Sequence, residues 1–375
     1  MPDVPVSIKQ QIAKPQPNIN DFLNQITGKA KPKRVHLAEL FADQEIMQWI
    51  TEDVLGKKWV PLPPDAPKRP PQMEQHLLTE IEYWYRMGYD YMWVNAGFNF
   101  QINFINANDT AGDMSHEKRT WSNSTKGPIQ SWNDFEKYPW PQITDENFWT
   151  YPFVAKHLPE GMGILACPLS GFLEIPMDML VGFESLSMMM YDQPDLLKAI
   201  FDKVQNIIVE SYKRILPMDK IAGFFQGDDM GFRTGTLFSP DFLKQYSLPG
   251  HKIVADLVHA QDKVYFLHSC GNIYGIMDYL IDEVGIDAKQ SYEDVILPVE
   301  EAYKRYSSRI GILGGLDVDL LGRGDVDVVR KRIKEILKVC DPNGRYALGS
   351  GNTVANYCKK ENVLAMFDEA FKFSF

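Results

Sequence analysis

The residues best equipped for chemistry in this chain lie together at His268-Ser269-Cys270. They end the stretch Lys263–Asn272, in which Val264, Tyr265, Phe266 and Leu267 form a continuous apolar run. Such a run of β-forming residues predicts a strand buried on both faces. Side chains two apart on a strand point the same way, so the His268 imidazole and the Cys270 thiol share one face. Both are ligands for a thiophilic metal such as zinc. Within this stretch alone, a second reading stands beside the first: a buried histidine bonded to backbone and a cysteine acting as a small apolar group. One His-x-Cys is half a metal site, so other elements must supply the rest.

Those elements follow a rhythm. Short apolar runs fall at Val35–Phe41, Tyr91–Ala96, Gly163–Pro168, Ile221–Gly227, the stretch above, Ile286–Gln290, Ile310–Leu313 and Tyr346–Leu348. Between them lie helical patterns, among them Phe172–Tyr191, Asp195–Leu216 and a long helix running from the Ser239-Pro240 start towards Ala260. Alternation of this kind predicts an α/β fold, a (β/α)8 TIM barrel, with a doubly wound sheet as the alternative. Residues 1–34 are polar and broken by prolines, and read as an N-terminal arm with a short amphipathic helix at Ile19–Ile26. The arm would fold over the domain or over a partner subunit, so a homodimer is one expectation. Residues 35–375 form the barrel, with an insertion after the second strand at Gly97–Thr125.

Active sites of such barrels lie at the C-terminal ends of the strands. That rule gathers Glu39, Asn95, Cys167, Asp228, Asp229, His268, Cys270, Gln290, Ser350 and Asn352 at one mouth. Asp228 and Asp229 would repel if both entered one pocket, so one should face away. The other would complete a metal site or act as a general base, unless both are turn or helix-capping residues. Glu39 is a third candidate acid; Asn95, Phe98, Gln290, Ser350 and Asn352 are candidates for substrate binding. Trp93, Phe98, Phe100 and Phe104 would wall an apolar pocket, or pack within a long loop. His36, His76, His116, His157, His251 and His259 fall elsewhere and read as structural or surface residues.

Bulk properties narrow the function. A net charge of −11 over 375 residues argues against a general nucleic-acid binder and suits a partner with a basic face. Four scattered cysteines make no disulfide framework. The N-terminus carries no signal-peptide pattern and no run reaches the roughly 18 apolar residues of a membrane span. A cytoplasmic protein is expected. Walker, GxGxxG, GxSxG and HExxH motifs are absent.

From about Val35 to Phe371 the chain resembles the uroporphyrinogen decarboxylase superfamily. The resemblance rests on Gly227-Asp228-Asp229-Met230-Gly231-Phe232, Leu237-Phe238-Ser239-Pro240-Asp241-Phe242, His268-Ser269-Cys270-Gly271-Asn272, Gly314-Gly315-Leu316-Asp317 and Gly349-Ser350-Gly351-Asn352. It implies the same (β/α)8 barrel. True decarboxylases carry an Arg-Gln-Ala-Gly-Arg motif after the first strand; here Leu37-Ala38-Glu39-Leu40-Phe41 stands there, without either arginine. Asn95 occupies the place of their substrate-binding aspartate. The resemblance is closer to the zinc methyltransferases and O-demethylases that work with corrinoid proteins. There it implies zinc on His268 and Cys270, and a methyl group passing between a small methylated donor, such as a methoxylated aromatic, and a corrinoid carried by a partner protein. Ser350 stands where that branch has a third, cysteine ligand, so Asp228, Asp229 or Glu39 would have to substitute. Decarboxylation of uroporphyrinogen or a related polyacid, and a non-catalytic small-molecule-binding barrel, are the alternatives.

Overall fold

Seven parallel strands pair in chain order: β1 (Tyr91–Val94), β2 (Gly163–Ala166), β3 (Ile221–Gly227), β4 (Val264–His268), β5 (Ala288–Gln290), β6 (Gly311–Leu313) and β7 (Tyr346–Ala347). Every crossover between neighbours passes through at least one helix, as parallel pairing demands. The molecule is seen in a computed structural model that describes residues 4–63, 71–101, 104–108, 118–122, 126–340 and 343–373. Much of the expected insertion, His116 included, and the side chain of Phe104 lie outside the described residues; within it, Phe104–Asn108 pairs antiparallel with Lys118–Ser122. No described helix is long and apolar enough to cross a membrane.

The expected first strand, Val35–Phe41, is not a regular strand. It makes single bridges, Leu37 with Leu348 and Ala42 with Val354. On its other side the Tyr91 hydroxyl accepts from the Glu39 N–H at 3.0 Å and donates to the Glu39 carbonyl at 2.7 Å. A phenol therefore takes the place of a ladder partner, and the regular pairing stops.

Alternation along the strands decides what faces inward. Tyr91, Leu165, Phe225, Val264, Phe266, Ala288, Leu313 and Ala347 form an inner core cluster, while Tyr265 and Leu267 join the outer core under the helices. Continuing the same period-two phase beyond each inward residue leads to Asn95, Cys167, Gly227, His268 and Gln290 at the strand ends.

The opposite end is filled by the arm. Helix α1 (Val6–Ala13) buries Ile8 and ties Ser7 Oγ to Asp368 at 2.5 Å. Helix α2 (Ile19–Ile26) starts at Asn18, whose side chain accepts from the Asp21 N–H. Its apolar face, spaced i, i+3, i+7, buries Phe22 and Ile26 in the inner cluster. The Phe22 ring meets Tyr91 at 5.3 Å and Phe266 at 6.2 Å between centroids. Gln25 donates to the Tyr346 carbonyl and accepts the Arg345 N–H on its own carbonyl.

Two long helices read from the sequence are broken. Phe172–Tyr191 becomes a π-helical segment, Ile175–Val181, and a separate helix, Phe183–Asp192, divided at Gly182, whose φ is +91°. The run from Pro240 divides at Ser247 into Pro240–Tyr246 and Leu248–His259. The second break places the Ser247 hydroxyl on one side chain, Asp228.

Because α2 fills the base of the sheet, Phe22→Ala should behave as a core deletion. Urea denaturation should show a loss of about 3–5 kcal/mol; an arm resting loosely on the surface would give under about 0.5 kcal/mol.

Candidate active site and metal centre

Asp228 and Asp229 point in opposite directions. Asp228 is fully buried and outside the mouth. Its carboxylate accepts the N–H groups of Leu173 and Glu174 at 3.0–3.1 Å, the Ser247 hydroxyl at 3.2 Å and His251 Nε2 at 2.7 Å. His251 Nδ1 lies 2.7 Å from the Tyr265 hydroxyl, so Nε2 carries the proton and Nδ1 accepts. A Cβ on Gly171 would come within 2.1 Å of the Asp228 carboxyl, so only glycine fits beneath it. Asp228, expected among the catalytic acids, is thus a structural tie, with donors from the start of the π-helical segment, from the break at Ser247 and from His251 in the helix beyond it.

Asp229 faces the mouth. Its Oδ1 accepts the Cys270 N–H at 2.8 Å and lies 3.7 Å from His268 Nε2. Cys270 Sγ lies 3.4 Å from the same nitrogen. The three potential ligand atoms all fall within 4.8 Å of one another. Bond lengths of about 2.0–2.3 Å give a tetrahedral zinc site edges of about 3.3–3.8 Å. The Asp229–His268 and Cys270–His268 separations match such edges.

The surrounding shell fixes the imidazole. Gln290 Nε2 donates to the Asn352 carbonyl at 2.7 Å and lies 3.4 Å from Glu39 Oε2. Its Oε1 therefore accepts from His268 Nδ1, leaving the lone pair on Nε2, the atom facing Cys270 and Asp229. Burial lowers the His268 pKa against the opposing pull of Asp229, which keeps the ring neutral and able to ligate. Glu39 is completely buried; the Ser350 hydroxyl donates to it at 2.7 Å and the Ser350 N–H also reaches it. Glu39, Gln290 and Ser350 do not line the cavity. They hold the residue that does. Asn352 both lines the cavity and donates to Cys270 Sγ at 3.0 Å.

The cavity over the centre has a volume of about 380 Å³. Asp229, His268 and Cys270 share its walls with Asn95, Phe98 and Asn352, and with Phe41, Trp93, Cys167 and Glu174. Phe41 approaches Trp93 at 6.1 Å and His268 at 6.3 Å between ring centroids. No lysine or arginine appears among the described lining residues. Glu174 has a pKa held well above the usual carboxyl range, first by burial and then by the charges of Asp229 and Asp228. Asp178 is pushed up to about 6 by burial and the same two aspartates. Burial, then Asp229, raises the Cys270 thiol, and burial lifts Cys167 to about 12. A divalent cation among these groups would reverse that logic and hold Cys270 as thiolate.

The sequence reading missed Glu174 and Lys289. Glu174 was assigned to an ordinary helix; only the tie to Asp228 turns its backbone into the wall. Lys289 carried a signal, a lysine within an apolar strand. It is buried behind the centre, its Nζ bonded by the carbonyls of Ser269, Gln290 and Ser291 at 3.2, 3.1 and 2.5 Å, and burial lowers its pKa to about 8.

With fold and site described, the chain can be placed. It belongs to the uroporphyrinogen decarboxylase (URO-D) family, whose pattern matches residues 115–373. No curated protein matches it in sequence. Among solved structures it is similar to a methyltransferase from Methanosarcina mazei, at 16% identity and a TM-score of 0.67, covering 95% of this chain and 98% of that one. It also overlaps a B12-independent methionine synthase from Shewanella sp. W3-18-1 in complex with selenomethionine, at 11% identity and a TM-score of 0.40, over 72% of each chain. The first likeness is one of fold; the second is too loose to carry an argument.

Two outcomes follow. Asp228→Ala should cost about 3 kcal/mol or more by denaturation, since it strands buried donors, whereas Asp229→Ala should stay within about 1 kcal/mol. Glu39 gives a pH signature. Its carboxyl is pushed up to about 8 by burial, against the two Ser350 hydrogen bonds, from 4.5 when unfolded. Between those values the folded state holds a proton that the unfolded state has lost, so this stability is complete below pH 4.5 and gone by about pH 8. The melting temperature of Glu39→Gln, measured across that window, should fall less steeply than the wild type's.

Proposed function

We propose that the chain is a metal-assisted methyltransferase, moving a methyl group between a small methylated donor and a corrinoid carried by a partner protein in the cytoplasm. The observation that carries the reading is the Asp229–His268–Cys270 triangle at the cavity wall: three donors of oxygen, nitrogen and sulfur type, with both separations from His268 matching tetrahedral edges, beside a space for a fourth ligand. Asp229 fills the role left open by Ser350. Three protein ligands and one open position are the arrangement of catalytic zinc. When bound there, zinc would act as a Lewis acid towards a thiol or ether heteroatom of the substrate.

The chain's own residues supply the rest. Gln290 and, behind it, Glu39 hold His268 in the ligating tautomer. Asn352 donates to the sulfur of Cys270. Phe41, Trp93 and Phe98 make an apolar wall that suits a methoxylated aromatic and lowers the local dielectric. The lack of lysine or arginine among the described lining residues counts against a tetrapyrrole polyacid, whose acetates would meet carboxylates. The chain's acidity would favour a corrinoid protein with a basic docking face.

Protein purified without chelator should carry about one zinc per chain by plasma mass spectrometry. Asp229→Ala, His268→Ala and Cys270→Ala should each lower zinc occupancy about tenfold or more and abolish methyl transfer from a methoxyarene to a reduced corrinoid. Unchanged metal content and unchanged transfer in all three variants would defeat the proposal.

A further inference from the structure

The cavity also carries information about the charge of what enters it. Of its two acidic wall residues, Asp229 is committed to the metal triangle and Glu174 is not. Glu174 receives two hydrogen bonds, from Ser170 Oγ at 2.7 Å and the Gly171 N–H at 3.3 Å, and both reach Oε2. Oε1 accepts no hydrogen bond from the described residues. No cation of the described lining answers this carboxyl. The nearest buried ammonium, Lys289, is held by three backbone carbonyls and lies 4.5 Å from the Tyr292 ring centroid, so it is already satisfied elsewhere. A carboxylate partly withdrawn from water gains from a counter-charge. Three aromatic residues, Phe41, Trp93 and Phe98, stand in the same wall. Ring faces attract a desolvated cation and Trp does so best. A part-buried carboxyl with no counter-charge among the described lining residues, beside three aromatic rings, forms a receptor for a positive charge.

We infer that the substrate bound beside the metal centre carries an ammonium group, held between Glu174 and the rings of Phe41, Trp93 and Phe98. This rests on reading the cavity as the substrate site, and it adds a charge class to the proposed function. The heteroatom that exchanges the methyl group faces Asp229, His268 and Cys270, while the ammonium marks the other end of the molecule. Substrates bearing carboxylate or sulfonate there are disfavoured, because they would meet Glu174 with no basic residue among the described lining residues to receive them.

Calorimetry on the full chain tests this without any turnover. The probes are choline, its neutral isostere in which carbon replaces the quaternary nitrogen, and isethionate as the anionic counterpart. Choline should bind about tenfold or more tightly than the isostere, and isethionate should not bind. Glu174→Gln should remove most of the choline preference while leaving the isostere's affinity unchanged. Trp93→Leu is the second variant should Glu174→Gln fail to fold, and it should lower choline affinity in the same direction. Equal affinity for choline and the isostere, or binding of isethionate, would overturn the inference. Zinc content measured on the same samples separates the two ideas: full zinc with no charge preference sinks the ammonium site alone, whereas a choline preference in protein that takes up no zinc leaves it standing and sinks the metal reading.

Discussion

One buried carboxylate organises this site. Asp228 follows the end of β3, where the inward and outward phases of the sheet must be resolved. It turns away from the mouth because four donors wait for it there, in the loop at Leu173-Glu174 and at the helix break around Ser247 and His251. Losing them would leave a buried charge unpaired, which costs several kcal/mol. Its neighbour Asp229 is then presented to the mouth. The same tie draws Leu173 and Glu174 over the strand end, so that a metal-facing aspartate and an acidic cavity wall follow from one hydrogen-bonded group.

Around it the site is built in layers. The outermost is Ser350, which donates to Glu39 from both its hydroxyl and its backbone. Glu39 and the Asn352 carbonyl face the amide nitrogen of Gln290, and its amide oxygen settles which nitrogen of His268 keeps a lone pair. Each layer is more buried than the surface it supports, so the orientation of the imidazole is set by packing and not by the ligand. Where the resemblance implies a third ligand, a cysteine, Ser350 has a different task, and a carboxylate from another strand end lies within reach of His268 and Cys270.

Much of this was legible in the sequence because strands repeat every two residues. The period places His268 and Cys270 on one face and sends Asn95, Cys167 and Gln290 to the same mouth. The repulsion between adjacent carboxylates already implied that Asp228 and Asp229 would separate. What the sequence left open was which of them turned inward, since that depends on donors 19 to 55 residues away. The broken helices had local signals that the apolar periodicity overrode: Pro249 opens the helix after Ser247, and Gly182, at φ +91°, divides the other. The first strand read as a strand from its apolar run, yet its partner on one side is a tyrosine hydroxyl, which no local pattern reveals. The arm's second helix was visible from its amphipathic pattern, but not its place at the base of the sheet.

The central claim is a metal held by nitrogen, sulfur and oxygen from three named side chains. X-ray absorption at the zinc edge of the loaded protein tests it most directly. The expected first shell has one sulfur at about 2.3 Å and the remaining scatterers, nitrogen or oxygen, at about 2.0–2.2 Å, with the sulfur lost in Cys270→Ser. A shell made only of light atoms in the wild type, or a sulfur that survives removal of Cys270, would contradict it.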